Sequence, residues 1–386
     1  SAQTYQDKIA LRFFMQAKAP EQSSTFSFYE LFARVTQTAN ALHKLGVGSE
    51  DTVSMLLPNL PQTHFTIWGA EAAGIFNPIN PMLEVEHIAA ILNEVQAKVL
   101  VTLAPFPGSD LWDKAQEIMQ RVPTIKTLLT VDMARFLDHQ LAEVINAQRP
   151  AYLSDTVLDF DDVIATCNDN VLDSQREIHG HDVASYFHTG GTTGTPKLAP
   201  HSHANEVAMA FQMASMVGMD RDYVGLCGLP LFHVNAVFVT GLASWFMGAE
   251  VILAGPQGYR DTALLENFWS LVQDYKVNFF SAVPTILSSL LEQSTEGYDL
   301  SSLEFCLCGA APLSVELMRK FEATTKLAVL EGYGQTEGCC GSTCNPRYGE
   351  RRVGSVGGRM PYMQLRTAIV DDEGKFVREC DIDEVG

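Results

Sequence analysis

Two stretches of the chain repeat one pattern of apolar and polar positions. In the first, an apolar run at residues 53–57 closes on Pro58, a segment with helical spacing extends to about Ala73, and Gly74 leads into another short apolar run. In the second, an apolar run at 224–229 closes on Pro230, an uncharged helical stretch follows, and Gly248 leads into Val251-Ile252-Leu253. Each then adds a helix and a strand, at residues 85–95 and 99–101 in one case and at 264–275 and 277–280 in the other. Short apolar runs punctuated by Pro and Gly and alternating with helical periods predict mostly parallel sheets flanked by helices. The expected fold is therefore α/β, with two similar subdomains: residues 1–178, and residues 179–345. Residues 346–386 begin a region of different texture.

Two stretches depart from that pattern. Residues 104–178 are more acidic, with a weak helix over 132–146 and the run Asp159-Phe160-Asp161-Asp162, and read as an irregular surface excursion. After Pro346, short strand signals at 365–370 and 376–377 flank Asp371-Asp372-Glu373-Gly374, which predicts a hairpin. That acidic turn lacks the spaced ligands and closing glutamate of a calcium loop.

Composition narrows the partners. With 386 residues, 46% of them hydrophobic, the chain can fill two or three α/β cores. A net charge of −20 repels nucleic acid and anionic lipid and favours a small-molecule substrate. The uncharged stretch 229–249 approaches spanning length, but Pro230, His233, Asn235, Gly241 and Gly248 interrupt it, so a buried helix beside a pocket is expected and no membrane span. None of the eight cysteines forms C-x-x-C, which predicts small buried thiols in a reducing compartment; a metal site from Cys339, Cys340 and Cys344 is the remote alternative. The opening Ser1-Ala2-Gln3 carries no secretory pattern, and localisation defaults to the cytoplasm.

The densest chemistry lies in Tyr186-Phe187-His188-Thr189-Gly190-Gly191-Thr192-Thr193-Gly194-Thr195-Pro196-Lys197. Glycines expose backbone N–H groups to an anion, threonines add hydroxyl donors and lysine adds charge, as a phosphate-binding loop requires. It is neither G-x-x-x-x-G-K-[ST] nor G-x-G-x-x-G. His201-Ser202-His203, just after it, reads as a polar strand end rather than a set of metal ligands.

The loop resembles the signature of the adenylate-forming superfamily, which includes acyl-CoA synthetases, aryl-CoA ligases, luciferases and peptide-synthetase adenylation domains. Two departures are Gly190, where serine is commonest, and Leu198, where glycine usually follows the lysine. Further similar segments occur in the family's order: Phe28-Tyr29-Glu30-Leu31, Leu57-Pro58-Asn59, Gly74-Ile75-Phe76-Asn77-Pro78, Pro230-Leu231-Phe232-His233, Val283-Pro284-Thr285, Gly309-Ala310-Ala311-Pro312-Leu313, and Glu331-Gly332-Tyr333-Gly334-Gln335-Thr336-Glu337. The resemblance implies the family's N-terminal domain, with residues 346–386 beginning a distorted β-barrel subdomain.

It also implies a reaction: a carboxylate attacks the α-phosphate of ATP, giving an acyl-adenylate and pyrophosphate, and the thiol of coenzyme A then takes the acyl group. By position, Thr189, Gly190, Gly191, Thr192, Thr193, Gly194, Thr195 and Lys197 would hold the β- and γ-phosphates. Thr336 would bond the α-phosphate or the carboxylate, and Glu337 would bind Mg2+. Gly309, Ala310, Ala311, Glu331, Gly332, Tyr333 and Gly334 would form the adenine site, with Tyr333 stacking on the purine. His233 would contact the carboxylate or gate the acyl tunnel, with Val237, Val239, Val283, Ile286 and Gly338 as pocket neighbours.

A fatty or aryl acyl-CoA synthetase is the expected activity. The alternatives are an amino-acid adenylation domain or luciferase-like oxidase, and a non-catalytic ATP- or AMP-binding module. Val234, Ala236, Val237 and Phe238 offer no acid for a substrate ammonium, which disfavours the amino-acid reading. The chain reaches only Asp383-Glu384-Val385-Gly386, before the family's ribose aspartate and its small lysine-bearing C-terminal domain, so weak adenylation by this piece alone is expected. Acyl length, ring preference and oligomeric state are not encoded in any one motif.

Overall fold

The computed structural model describes residues 1–189 and 197–381, and all structural counts refer to those residues. The chain opens with an antiparallel hairpin, β1 (Ile9–Phe14) and β2 (Ser23–Ser27), followed by the helix Phe28–Lys44. A capping box starts that helix: Ser27 Oγ accepts the Glu30 N–H at 3.2 Å, and Glu30 Oε2 accepts the Ser27 N–H at 2.7 Å. Strands β3 (Thr52–Leu56), β4 (Ile75–Pro78), β5 (Val99–Leu103), β6 (Thr127–Val131) and β7 (Val157–Asp159) then alternate with helices. Strands β8 (Val183–Thr189) and β9 (Lys197–Ser202) form a second hairpin. The series β10 (Val224–Cys227), β11 (Glu250–Ala254), β12 (Phe279–Ala282), β13 (Phe305–Cys308) and β14 (Ala328–Gln335) repeats the alternation. After these come β15 (Cys340–Cys344), β16 (Gly358–Arg359) and the hairpin β17 (Ala368–Val370) with β18 (Phe376–Glu379).

One sheet has the order β7-β6-β5-β3-β4-β8-β9, and the other β16-β15-β14-β13-β12-β10-β11-β1-β2. Apart from β15 and β16, the two orders correspond strand for strand, and β8-β9 occupies in one the place that β1-β2 occupies in the other. The N-terminal hairpin therefore completes the later sheet, and the hairpin at 183–202 completes the earlier one. A division of the chain at residue 178 consequently does not coincide with the division between sheets. Local periodicity cannot show such an exchange, because strand pairing is a long-range choice.

Residues 104–178 are more ordered than their texture predicts. They contain the helices Leu111–Arg121, His139–Gln148 and Phe160–Ala165, and β6 and β7 extend the first sheet to its edge. The acidic run does not mark a surface excursion: Asp159 caps the last of these helices, accepting the Asp162 N–H at 3.0 Å, and pairs with Arg135 at 2.8 Å. Its charge serves a helix start and an ion pair. The helix expected over 132–146 divides into a 3-10 turn, Met133–Phe136, and the helix His139–Gln148 with Asp138 as its cap. The uncharged stretch 229–249 contains a π-helix, Asn235–Leu242, continued by the helix Ala243–Met247, and no helix among the described residues is long and apolar enough to cross a membrane. The expected hairpin forms, with Asp371 Oδ1 accepting the Glu373 and Lys375 N–H groups.

Helices Phe28–Lys44 and Pro61–Ala73 pack closely at Gly69, where a Cβ would lie 2.6 Å from the Thr38 side chain. Contact between the two halves is specific. Asn59, buried beyond the end of β3, clasps the matching turn of the later half. Its Nδ2 donates to Leu229 O and its Oδ1 accepts the Leu231 N–H, both at 2.9 Å.

Candidate active site

A cavity of about 650 Å³ opens at the C-terminal ends of the parallel strands of the later sheet. Open α/β sheets bind ligands at this edge because the turns leaving the strands expose backbone groups there. Strand β13 delivers Gly309 and Ala310, and β14 delivers Gly332, Tyr333, Gly334, Gln335, Thr336 and Glu337. Small residues are mechanically required: a Cβ on Gly334 would lie 1.7 Å from Cys340 O, and one on Gly309 3.1 Å from Gly332 O. Ala310 adopts φ +68°, a left-handed conformation that non-glycine residues seldom take away from functional sites. Tyr333 is 48% exposed, so its ring face is available to a planar ligand.

Thr189 reaches the same cavity from the other sheet, at the end of β8. Lys197, its register partner at the start of β9, is exposed and does not line the cavity. The intervening Gly190, Gly191, Thr192, Thr193, Gly194 and Thr195 lie outside the described residues.

Phe232, His233, Val239, Val283 and Ile286 form a second, more apolar part of the wall. Burial lowers the His233 pKa below the usual imidazole range. His188 is held down to about 4, by burial and then by the charge of His233, and its Nε2 accepts the Asn80 N–H at 3.1 Å. Both rings are therefore neutral at physiological pH. Cys308, Cys340 and Cys344 complete the wall with thiols that burial pushes up to about 12, so they act as small apolar surfaces. Among the described lining residues Glu337 is the one acid, and it is exposed.

Four residues singled out from sequence stand back from the cavity. Val237 is fully buried in the core, and Ala311 and Gly338 are not in its wall. Glu331 is buried beneath it: its Oε1 accepts the Leu313 N–H at 3.3 Å, bracing the loop that follows β13.

Other contributors were hidden from sequence reasoning. His201, read as part of a polar strand end, is buried on β9; its Nε2–H donates to Thr336 O at 2.6 Å, and its ring stacks on Phe187 at 5.2 Å. It fixes the carbonyl of a residue 135 positions away, and only its closeness to the glycine loop hinted at a role. Gln257, Arg260, Met213 and Thr343 also line the cavity, brought together from separate segments. Among the described residues no group of three or more His, Cys, Asp or Glu could hold a metal ion.

Comparison with known proteins agrees with this architecture. The family model described as "AMP-binding enzyme" matches residues 1–386. The chain is 37% identical over 391 residues to a marinolic acid–CoA ligase of Pseudoalteromonas sp. (strain SANK 73390), covering 100% of this chain and 57% of that protein. It is 28% identical to a long-chain-fatty-acid–CoA ligase of Bacillus subtilis (strain 168), covering 97% and 64% respectively. The crystal structure of the anthranilate CoA ligase AuaEII in complex with anthranoyl-AMP superposes with a TM-score of 0.80 at 23% identity, over 97% of this chain and 65% of that one. The N-terminal domain of FACL13 from Mycobacterium tuberculosis superposes with a TM-score of 0.77 at 22% identity, over 97% and 84%. The chain thus spans about 57–64% of the length of these two curated relatives.

Proposed function

Because the chain belongs to the AMP-binding enzyme family, we propose that its cavity binds ATP beside an apolar carboxylic acid and serves acyl-adenylate formation, followed by transfer of the acyl group to coenzyme A. One observation carries this reading: a glycine-lined strand edge ending in Thr336 and Glu337 shares a single cavity with an apolar wall built from Val239, Val283 and Ile286. The names of the relatives, CoA ligases for marinolic and long-chain fatty acids, support the same activity.

In this reading adenine lies on Tyr333 against the backbone of Gly309 and Ala310, and the triphosphate runs toward Thr189. A carboxylate oxygen forms a bond to the α-phosphorus as the bond to the β-phosphate oxygen breaks, and pyrophosphate leaves. The thiol of coenzyme A then adds to the acyl carbonyl and AMP departs. Thr336 donates its hydroxyl to the α-phosphate, and Lys197 and the glycine loop hold the leaving phosphates. Neutral His233 contacts the carboxylate without adding a charge that would trap it. Glu337 and the phosphate oxygens would hold Mg2+, whose charge offsets the approach of two anions; an exposed carboxylate beside Thr336 fits that role. The lack of any other acid in the described wall supports a substrate without an ammonium group and disfavours an amino acid. Eight free cysteines, seven of them buried, fit a reducing compartment such as the cytoplasm.

Carboxylate-dependent exchange of labelled pyrophosphate into ATP tests this, over fatty, aryl and amino acids, on this chain and on a longer form extended past Gly386. Exchange with apolar acids supports the reading. ATP binding without exchange by either form, with any acid, would reduce the function to nucleotide binding.

A further inference from the structure

Set back from the cavity wall lies a pair of acids that the proposed reaction does not use. Glu71, on the helix Pro61–Ala73, and Glu206, on the helix His203–Val217, are 5% and 2% exposed. Their carboxyl groups are close enough to act on each other, and with no counter-charge beside them at least one carries a proton. Glu206 Oε1 accepts the Ser185 Oγ–H at 2.6 Å, which ties the pair to β8, the strand that ends at Thr189. Among the described residues Glu71 Oε1 has no hydrogen-bond partner. Among the described residues neither acid makes an ion pair. Arg176 reaches the backbone carbonyls of Glu71, Ala72 and Gly74, and lies 4.0 Å from Asp182.

Near the pair is the turn that carries Thr336 and Glu337. This turn packs on β8 and β9. It closes at Cys339, a buried residue at φ +69°, whose N–H donates to Thr336 O at 3.0 Å. Both carboxyl groups lie near enough to act on the Cys339 thiol. Two helices, the strand before the phosphate loop and the turn of Thr336 thus converge on one buried acid pair. Two bare carboxylates could not share this space, because neither would have a counter-charge and each would lose its hydration.

Resting on the ATP-site reading, we infer that Glu71 and Glu206 form a protonated positioning pair that holds β8 and the Thr336–Cys339 turn in the geometry that accepts the triphosphate. Ionisation of Glu206 would leave a buried carboxylate with neither counter-charge nor hydration and displace the strand and the turn that meet there.

The direction of the pH effect follows. Burial pushes Glu206 up to about 7, and burial together with the neighbouring Glu206 charge pushes Glu71 well above the carboxyl range. The folded state therefore binds more protons than the unfolded one above the ordinary glutamate pKa. Stability falls as pH rises from there, through the folded pKa of Glu206. The surrounding groups do not mimic this trend. Burial keeps the Cys339 thiol protonated and holds His201 and His203 neutral, while Arg176 remains charged.

Three measurements decide the matter on the 386-residue chain. Infrared spectra at pH 7.5 should show a protonated carboxylic acid band that disappears in Glu71→Gln; its absence from the wild type overturns the pair. Thermal unfolding from pH 6 to 8.5 should show a loss of stability that Glu206→Gln flattens. Over the same range ATP affinity should fall about tenfold in the wild type, the equivalent of one pKa unit, and by less than about twofold in Glu206→Gln. Parallel ATP profiles in the two proteins, with only the stability slope altered, would make the pair a structural feature and overturn the positioning role. Failure of the wild type to bind ATP at any pH would overturn the ATP-site reading and the positioning role with it, while the infrared band would still report the pair.

Discussion

The two halves share a strand order, yet the cavity belongs almost wholly to one of them. In the later half, β13 and β14 end in glycines and a left-handed alanine, leaving an open edge. In the earlier half the matching strands, β6 and β7, end in a helix cap and an Arg135 ion-pair cluster, and the turn after β3 is filled by the Asn59 clasp. The hairpins differ as sharply. The connection after β8 carries Gly190, Gly191 and Gly194, whereas the one after β1, residues 15–22, contains no glycine. A fold can thus repeat while chemistry settles where the strand ends stay open and the backbone can turn toward an anion.

Substitutions at matching places put that contrast at risk. The largest effect is expected at Glu337: Glu337→Gln should lower exchange in the longer form by roughly 10²–10³-fold, the scale of losing one preorganised electrostatic partner. Asp161→Asn, just beyond β7, should leave the exchange rate unchanged. Next, Asn59→Ala should cost about 3 kcal/mol in denaturant unfolding, because the Leu229 carbonyl and Leu231 N–H would be left buried without partners. His201→Phe keeps the stacking on Phe187 but releases Thr336 O; it should reduce exchange about tenfold, the cost of one hydrogen bond, while unfolding changes little. The smallest effect separates the two hairpins. Lys197→Ala should weaken ATP binding about fivefold, as loss of one exposed charge contact would, and Lys18→Ala in the β1-β2 connection should not change it.

Much of this was legible in the chain. The repeated strand–helix pattern, the Asp371–Gly374 turn and the buried cysteines followed from local rules. The gathering of Gly309, Tyr333, Thr336 and Glu337 at one cavity was implied by the family resemblance and not by local rules. The exchange of hairpins between sheets was not legible, because nothing local to residues 9–27 records a partner at residues 251–254. His201 was obscured for a related reason: its partner is a backbone carbonyl, which leaves no side-chain signature at Thr336. Nothing local marks Glu71 or Glu206 as buried either, since their burial depends on which distant elements cover their helices. The acidic stretch at 159–162 misled because charge was taken for exposure, although capping and an ion pair consume it.

Everything proposed for this chain depends on one cavity in the later half holding adenylate and acyl group together. Calorimetric titration with a non-hydrolysable acyl-adenylate analogue bearing a fatty acyl group, compared with AMP alone, puts that to the test. The analogue should bind at least about a hundredfold more tightly, since burying a few methylene groups contributes about 0.8 kcal/mol each, and Tyr333→Ala should weaken both ligands. Equal affinity for the analogue and AMP would contradict the proposal, because the apolar wall would then not be an acyl site.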